Sequence, residues 1–471
     1  MTGHAPNHPN YALLTGATGA LGRYLLPDLL ASGTPVAVLV RSTKKQSAVA
    51  RIDAQLAAFE RSWDGRQQGK SLLRPVVIEG DLCQPNLGLS VEARHWIHEN
   101  CGRVLHSAAN LSFRPASAHP NNEPFRTNVE GTRNLLAVCQ QAGVREFHYV
   151  STAYVCGIRS GIVLENDCGD DASEFANDYE RSKAEAEQLL RNASALDSLT
   201  IYRPSIVVDP ASTSGAETDQ AISTAFSMYR MLATRFGMPE PGQWLRNLGL
   251  NGDERKNIVR ADWVSRIIVQ ILKRQELRGR TYHLTSEHGT AIRALEEGFR
   301  QAVAKTATTS KGHRTGKQHI ASAGLLDKLA EPYVATFMPY FRDDPKFDGS
   351  NLTAALAACG EQPCEDVTAT DIAELASAQM QQADKQKPPS VKPAKQTTTL
   401  ERRDDPIVVV GMACRVPGCK TTAEFDSLLF TGRSAIGEMP HSRFDRELYF
   451  DKKKGRPGKT YATLGGCAPA Y

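Results

Sequence analysis

The chain has 471 residues, of which 41% are hydrophobic and 23% are charged, and its 56 basic and 52 acidic side chains give a net charge of +4. This composition is typical of a folded globular protein, and the charge surplus is too small to indicate a nucleic-acid-binding surface. No run of about 18 apolar residues occurs, and residues 1–10 lack the basic and apolar stretches of a secretory signal, so we predict neither a membrane span nor secretion.

The cysteines bear on the cellular compartment. None of the ten forms a CxxC pair, and no histidine pair stands at ligand spacing beside them, so we predict no zinc site. Several lie in apolar runs, such as Cys139 and Cys156, where a free thiol behaves as a small hydrophobic side chain. We therefore expect reduced thiols and a cytoplasmic location.

Short apolar runs alternate with amphipathic stretches between residue 11 and about residue 210. The predicted strands are YALL, VAVLV, PVVI, RVLHSAA, FHYVSTAYV and TIYRPSIVV, and segments such as GRYLLPDLLASG and NVEGTRNLLAVCQQAG have helical spacing. Continuously apolar strands that alternate with helices form a parallel sheet covered on both faces. This pattern predicts an α/β fold with a Rossmann-like, doubly wound parallel sheet.

The remainder of the chain loses this alternation. Residues 211–383 contain the helical patterns AISTAFSMYRMLATRF, ADWVSRIIVQILKRQ and GLLDKLAEPYVATFM and one predicted strand, TYHLT, so we expect a smaller, mostly helical subdomain on the substrate side. Residues 384–404 are rich in Pro, Lys and Thr and nearly free of apolar side chains, which is the composition of a flexible linker. The apolar run IVVVGMACRV then opens a second unit, residues 405–471.

A glycine-rich turn, TGATGALG, joins the first predicted strand to the first predicted helix. Gly16, Gly19 and Gly22 would allow a tight turn, close approach of the backbone to a pyrophosphate, and close packing of helix on strand. The free N–H groups at the start of a helix bind anionic phosphates. In this context the turn, which includes Thr18 and Leu21, predicts dinucleotide binding, with a merely structural turn as the alternative.

The end of the second predicted strand bears on the choice of cofactor. An NAD-specific site places Asp or Glu there to bind the ribose 2′-hydroxyl, but this chain has Arg41, followed by Lys44 and Lys45. A guanidinium binds a 2′-phosphate through two hydrogen bonds and stacks on adenine. The sequence therefore favours NADP(H), with a solvated loop arginine as the alternative.

A tyrosine and a lysine four residues apart, Tyr179 and Lys183, follow the predicted strand FHYVSTAYV, which contains Ser151 and Thr152. Residues at this spacing share a helix face, so the Lys183 ammonium can approach the Tyr179 phenol. A nearby cation lowers the pKa of a phenol toward the range that is useful for proton transfer. This pair is therefore a candidate for acid–base catalysis.

Together these motifs resemble an extended short-chain dehydrogenase/reductase, and within that superfamily the thioester reductase domains of polyketide and peptide synthases and the fatty acyl-CoA reductases. The resemblance covers residues 8–383, with a cofactor-binding core at about 8–210 and a substrate-side subdomain at about 211–383. The matching segments are TGATGALG, LVRS, GDLCQPNLGLS, VLHSAANLSF, TNVEGTRNLL, YVSTAYVCG, YERSK, YRPSIVV, NIVRADWV and TYHLTS.

The resemblance implies roles for individual residues. Thr152 matches the catalytic hydroxyl of the family, Tyr179 its acid, and Lys183 the lysine that binds the nicotinamide ribose. The implied cofactor contacts are Asp81 and Leu82 beside adenine, Ala108 and Ala109 beneath the cofactor, Asn128 as a supporting residue, and Pro204 and Ser205 near the carboxamide. For two residues there is a simpler alternative: His106 as a structural histidine at a strand end, and Asp81 as the cap of a turn.

The resemblance also implies a function: NADPH-dependent reduction of a thioester-bound acyl chain, on a carrier protein or CoA in trans, to aldehyde or alcohol. Polyketide synthase subunits are then candidate partners. One alternative is another NADP-dependent reductase of the same fold that acts on a keto, hydroxysteroid-like or nucleotide-sugar substrate. A second is a non-catalytic docking module of a polyketide synthase, which would have no need of the set Thr152, Tyr179 and Lys183.

The last segment resembles the opening of a modular polyketide synthase ketosynthase, through DPIVVVGMACRVPG, FDSLLFTGRSAIGEMPHSRFD and YFDKKKGRPGKTYATLGG. Val416 and the residues after Gly466 depart from the family pattern. The resemblance implies a truncated thiolase-like fragment without the family's catalytic cysteine and histidines, so we expect no condensing activity. Such a short fragment buries too little apolar surface to offset its chain entropy, so we expect residues 384–471 to be loosely ordered and the linker to be cut by proteases.

Overall fold

The computed structural model describes most of the chain up to residue 385 and short pieces beyond it. The described ranges are 11–60, 73–112, 115–118, 121–169, 174–209, 220–236, 238–309 and 342–385, with short pieces between 417 and 465. The chain divides into two compact units, Met1–Gln318 with Ala335–Pro388, and His319–Val334 with Pro389–Tyr471.

The strands of the first unit include those predicted from the apolar runs and several shorter ones. In chain order they are β1 (Tyr11–Thr15), β2 (Val36–Val40), β3 (Val76–Glu79), β4 (Cys101–His106), β5 (Glu146–Val150), β6 (Ile162–Val163), β7 (Ser198–Pro204), β8 (Ile206–Val208), β9 (Arg255–Lys256), β10 (Ile258–Arg260), β11 (Thr281–Leu284), β12 (Thr290–Ala291) and β13 (Lys346–Phe347). Seven of them form one parallel sheet in the order β3-β2-β1-β4-β5-β7-β11.

Helices follow most of the sheet strands. In chain order they are α1 (Gly22–Ala31), α2 (Ala48–Glu60), α3 (Val91–Asn100), α4 (Gly131–Gln141), α5 (Asp178–Arg191), α6 (Gln220–Phe236), α7 (Gln243–Asn247), α8 (Ala261–Lys273), α9 (Ile292–Thr309), α10 (Ser350–Cys359) and α11 (Ala369–Lys385). Two of them begin at a polar cap, because the side chains of Ser90 and Asn177 accept backbone N–H groups of the first turns of α3 and α5.

Both faces of the sheet are covered, as continuously apolar strands predict. In β1, for example, Leu13 and Leu14 are both fully buried but belong to different apolar clusters. One cluster joins the sheet to α1, α2, α8 and α10, and the other joins it to α3, α4 and α5. The predicted α/β fold with a doubly wound parallel sheet is confirmed.

A third apolar cluster lies in the smaller, mostly helical part that follows β7. It is formed by α6, α7, α9 and α11, with Phe226, Tyr229, Trp244 and Phe299 in contact through their rings. Short strands accompany it: β8 pairs with β10, β6 with β13, and β9 with β12. β8 is the end of the predicted strand TIYRPSIVV, which forms two strands in the structure. The other five short strands are not among the predicted elements, because segments so short carry no periodic pattern.

Short pieces of the second unit are described. They include β14 (Gly437–Glu438), which pairs antiparallel with β15 (Leu464–Gly465), and a bridge between Phe450 and Thr460. The predicted strand IVVVGMACRV, nearly all of the predicted linker and the helical pattern GLLDKLAEPYVATFM lie outside the described residues. Across the described parts of the chain, every helix is too short or too polar to cross a bilayer.

Candidate active site

The order of the strands places a crevice at one edge of the sheet. β2 and β3 lie on one side of β1 whereas β4, β5 and β7 lie on the other, so the loops after β1 and β4 diverge. A cavity of about 480 Å³ opens there. Most of the described wall residues follow the sheet strands or lie at the start of α5. The wall comprises residues 15–22, 39–41, 51, 80–83, 107–111, 123, 127, 150–152, 154, 179, 180, 183 and 204–207.

The glycine turn closes tightly on itself between β1 and α1. Gly16 has a φ of +74°, and a Cβ there would lie 2.5 Å from the Ala108 nitrogen. A Cβ on Gly22 would overlap the Gly16 carbonyl oxygen, and the Gly19 N–H donates to that same oxygen at 2.9 Å. The turn therefore requires glycine at positions 16 and 22, and with Thr18 and Leu21 it forms one wall of the cavity.

Two arginines meet at the neighbouring corner. Arg41 lines the cavity at the end of β2, where the sequence places it. Arg51, on α2, also lines the cavity, and its guanidinium donates to the Arg41 carbonyl oxygen at 2.6 Å and to Thr18 Oγ1 at 2.9 Å. Sequence reasoning missed Arg51, although its place on the first helix after Arg41 is a signal that could have found it. The corner therefore carries two guanidinium groups.

The residues after β3 form the next part of the wall. Asp81 and Leu82 line the cavity as predicted, and the Asp81 carboxylate also accepts the Cys83 N–H at 3.0 Å, so it caps a turn as well. The Leu82 carbonyl accepts the side-chain amide of Asn134 at 2.8 Å. This loop is thereby held against α4, while Ala108 and Ala109 lie on the cavity wall after β4.

A buried hydrogen-bond chain runs beneath the cavity. The Thr132 hydroxyl donates to the Asn128 carbonyl at 2.6 Å, so it must accept from His106 Nε2 at 2.9 Å. His106 Nδ1 then accepts from the Thr15 hydroxyl at 2.6 Å, and Thr15 Oγ1 accepts the Ala108 N–H at 3.2 Å. Burial, and secondarily the charge of nearby Lys183, lower the pKa of His106 to about 3, so this histidine is neutral. Its role here is structural.

Asn128 connects the same chain to the helix that carries the tyrosine. It is buried in a π-helical turn before α4 and, unlike the other predicted site residues, is not on the cavity wall. Its side chain accepts the Asn110 N–H at 2.7 Å and donates to Ser182 Oγ at 2.8 Å, and the Ser182 hydroxyl donates to the Tyr179 carbonyl at 2.7 Å. Asn128 therefore supports the site from behind.

Thr152, Tyr179 and Lys183 all line the same cavity. Thr152 follows β5 and caps a short 3₁₀ turn, and Tyr179 lies in the first turn of α5. Lys183 is fully buried one turn further on, where its Nζ donates to the Val150 carbonyl at 2.7 Å. Burial lowers the pKa of Lys183 to about 7, against the opposing effect of the Glu187 carboxylate. The ammonium can therefore exchange a proton near neutral pH.

A buried ion pair lies behind Lys183. Arg203 on β7 binds both carboxylate oxygens of Glu187, at 2.9 and 2.7 Å, and both side chains are completely buried. Burial alone would raise the pKa of Glu187, but Arg203 holds it below its ordinary value. Sequence reasoning missed this pair, for which the spacing of four between Lys183 and Glu187 is the available signal. The site thus has an ion-paired carboxylate behind its lysine.

Comparison with known proteins identifies the family. Residues 14–268, more than half of the chain, match the NAD-binding family model described as Male sterility protein. The chain belongs to this family. A second family model, the N-terminal domain of β-ketoacyl synthases, matches residues 404–470, in agreement with the resemblance of that segment. The first unit therefore belongs to a nicotinamide-cofactor-binding oxidoreductase family of the extended short-chain dehydrogenase/reductase type, and both predicted family resemblances are confirmed.

Individual relatives agree with this assignment. The chain is 28% identical over 305 residues to a linear gramicidin synthase of Brevibacillus parabrevis and 31% identical over 225 residues to fatty acyl-CoA reductase 1 of Homo sapiens. These alignments cover 62% and 41% of this chain but 6% and 42% of the relatives, so the chain spans less than half of either relative's length.

Solved structures share the fold. The terminal R domain from the myxalamid PKS-NRPS biosynthetic pathway matches with a TM-score of 0.59 and 24% identity, over 80% of this chain and 92% of that one. The reductase domain of a non-ribosomal peptide synthetase from Mycobacterium tuberculosis matches with a TM-score of 0.55 and 20% identity, over 80% and 93%. At these identities the likeness concerns the fold.

Proposed function

We propose that the first unit is an NADPH-dependent reductase of an acyl group held as a thioester. The observation that carries this proposal is a single cavity with a glycine turn in one wall and Thr152, Tyr179 and Lys183 in another. The names of the relatives support the substrate class, because they describe a fatty acyl-CoA reductase, a peptide synthase and reductase domains of such synthases. The acyl group would be presented in trans by a carrier protein, with CoA as the alternative carrier.

The arginine corner supports NADPH rather than NADH. Arg41 and Arg51 both line the cavity, the Arg51 guanidinium binds Thr18 and the Arg41 carbonyl, and no acidic residue follows β2 before Asp53. A 2′-phosphate carries charge that two guanidinium groups can bind through several charge-assisted hydrogen bonds. These residues would hold the phosphate, while Gly16, Gly19 and Gly22 would admit the pyrophosphate.

The remaining residues fit the chemistry of carbonyl reduction. Bound nicotinamide would supply a hydride to the carbonyl carbon of the thioester. The hydroxyls of Thr152 and Tyr179 would donate hydrogen bonds to the oxyanion, and Tyr179 would transfer its proton. Lys183 would bind the nicotinamide ribose and keep that phenol acidic. The thiohemiacetal would then release the thiol and an aldehyde, and a second reduction would give the alcohol.

We further propose the domain division that the sequence suggests: a reductase at residues 8–383, a linker at 384–404 and a ketosynthase fragment at 405–471. Each site residue named above lies in the first of these segments. The fragment would not contribute to the reductase chemistry.

The test is NADPH oxidation by the full chain with panels of acyl-CoA, acyl-carrier-protein and ketone substrates, together with identification of the products. We expect thioesters to be consumed and aldehyde or alcohol to form. Turnover of ketones or nucleotide sugars without turnover of thioesters would refute the substrate assignment, and the absence of turnover with every panel would refute the catalytic one.

The cofactor assignment has its own test. Removing one charge-assisted contact costs about 1.5–3 kcal/mol, so Arg41→Ala should weaken NADPH binding about 10- to 150-fold. Arg51→Ala should act in the same direction. NADH serves as the matched control, because it lacks the 2′-phosphate and its affinity should change less than about twofold. An equal loss for both cofactors in a fluorescence titration would contradict the assignment.

A further inference from the structure

The segment of residues 342–348, here called the strap, is bound to two separate parts of the first unit. Its strand β13 pairs in parallel with β6, which follows the catalytic loop after β5. At its other end Asp343 accepts the backbone N–H of Arg255 at 2.6 Å. The strap therefore joins the loop that carries Thr152 to strand β9.

The carboxylate of Asp344 is the centre of the strap. It accepts the Tyr154 hydroxyl at 2.9 Å, the Lys256 ammonium at 2.5 Å and the Asn257 N–H at 2.7 Å. The side chains of Lys256 and Asp344 are 4% and 8% exposed. A buried carboxylate with three donors, one of them a cation, is fully compensated, whereas the loss of any donor would leave part of its charge unpaired.

Two segments of the cavity wall are fixed by this one carboxylate. Tyr154 lies on the wall two residues after Thr152. Asn257, whose N–H binds Asp344, accepts the hydroxyl of Ser205 at 2.8 Å, and Ser205 is also on the wall. The position of Asp344 therefore determines the relative position of these two wall segments.

The ring of Tyr154 is held at a second point. Phe347 of the strap contacts it edge-on, with 6.1 Å between ring centroids and an angle of 90°. Because the single hydroxyl proton of Tyr154 is donated to Asp344, it is not available to a substrate oxygen. Tyr154 therefore contributes the carbon surface of a fixed ring to the cavity wall beside Thr152.

We propose that Tyr154 is a specificity-determining residue, and that Asp344 is its positioning residue, with Lys256 compensating the carboxylate. The fixed ring limits the width of the group next to the reacting carbonyl, so that linear acyl chains are accepted and chains branched at the carbon beside the carbonyl are rejected. The proposal rests on the proposed function only for the identity of the substrate. The proposed role of Tyr154 concerns the shape of the cavity, so it applies to any carbonyl compound that is reduced beside Thr152.

The measurement is the ratio of kcat/KM for hexanoyl-CoA to that for 2-methylhexanoyl-CoA, with NADPH affinity as a second readout. Tyr154→Ala removes the ring, and because one carbon in a shaped pocket is worth about tenfold or more, the ratio should fall at least about tenfold. Tyr154→Phe keeps the ring and its contact with Phe347 but loses the hydrogen bond to Asp344, so it should lower the ratio only about threefold. NADPH affinity should stay within about twofold in both variants.

The positioning role is tested with a matched pair in the strap. Asp344→Asn removes the carboxylate charge and so weakens the bonds to Lys256 and Tyr154. It should lower the ratio about threefold, which is less than the effect of removing the ring with Tyr154→Ala. Asp348→Asn changes another carboxylate of the strap, whose side chain binds Ser350 instead, and should leave the ratio unchanged. Equal effects of the two substitutions would overturn the role of Asp344.

Other outcomes are equally decisive. If Tyr154→Ala lowers kcat for both thioesters and leaves their ratio unchanged while the protein stays folded by circular dichroism, Tyr154 does not set specificity. If the wild-type protein reduces no thioester, the proposed function fails, and the same ratio is then measured with linear and branched ketones. If the wild-type protein reduces neither class of compound, the ratio of the dissociation constants of the two thioesters is measured by calorimetry instead. The same ratio in the wild type and in Tyr154→Ala would overturn the proposal.

Discussion

Replacement of Lys183 by methionine should stabilise the protein while it abolishes turnover. The lysine is completely buried, and burial lowers its pKa from 10.5 to about 7. In the unfolded chain the same ammonium is solvated, so at pH 6 the folded state carries a desolvation cost of about 5 kcal/mol, at 1.4 kcal/mol per pKa unit. Methionine avoids this cost but leaves the Val150 carbonyl without its donor, a loss of about 1–3 kcal/mol. The net expected gain at pH 6 is about 2–4 kcal/mol.

The sign of the pH dependence follows from linkage. The folded pKa of Lys183 lies below the unfolded one, so the unfolded state binds more protons between about pH 7 and 10.5 and the stability of the wild type rises with pH in this window. The cost is fully present below pH 7 and is lost above pH 10.5. The advantage of Lys183→Met should therefore shrink by about 1.4 kcal/mol per pH unit above pH 7, or about 2.7 kcal/mol by pH 9.

Urea unfolding followed by tryptophan fluorescence at pH 6, 7, 8 and 9 measures this difference. Comparison of the two proteins at each pH cancels the titrating groups whose pKa does not depend on Lys183, such as His283. Lys273→Met, at an exposed lysine of α8, is the matched control and should change the free energy of unfolding by less than about 0.5 kcal/mol at every pH. A constant difference between pH 6 and 9, or a variant that is less stable than wild type at pH 6, would refute the reasoning.

Three further predictions concern the tyrosine, the glycine turn and the second unit. Tyr179→Phe should lower turnover about 10²-fold or more with NADPH affinity nearly unchanged, and near-normal turnover in a steady-state assay would place the proton donor elsewhere. Gly22→Ala, whose Cβ would overlap the Gly16 carbonyl oxygen, should lower the free energy of unfolding by at least about 2–3 kcal/mol. Gly19→Ala should lower it less, because its Cβ would lie 3.2 Å from that oxygen. Equal losses for the two variants in urea unfolding would contradict this reasoning. Deletion of residues 389–471 should leave NADPH affinity unchanged, because the cavity-wall residues that the structure describes lie between 15 and 207. A lost affinity in the titration would show that the reductase depends on the second unit.

The sequence by itself determined the sheet, the glycine turn and the candidate triplet Thr152, Tyr179 and Lys183. Each of these features depends on a short stretch of sequence. Continuously apolar strands between amphipathic helices predict a parallel sheet that is covered on both faces. A turn that needs glycine at particular positions is recognised by its glycines. The spacing of four already places Tyr179 and Lys183 on one face of a helix. Because the carboxyl ends of parallel strands meet at one edge of the sheet, motifs that follow these strands come together in one cleft.

Tertiary structure alone decided which distant side chains hold that cleft in shape. The contact of Arg51 with Thr18 depends on how α2 packs over the turn, and the bond between Tyr154 and Asp344 joins residues 190 positions apart. Such bonds depend on strand register and on the path of a connecting segment. A hydrogen bond tolerates only a few tenths of an ångström, whereas hydrophobic periodicity fixes an element's face but not its neighbour's position to that accuracy. The residue types of the site can therefore be predicted from the sequence, whereas the positions of their side chains depend on the folded chain.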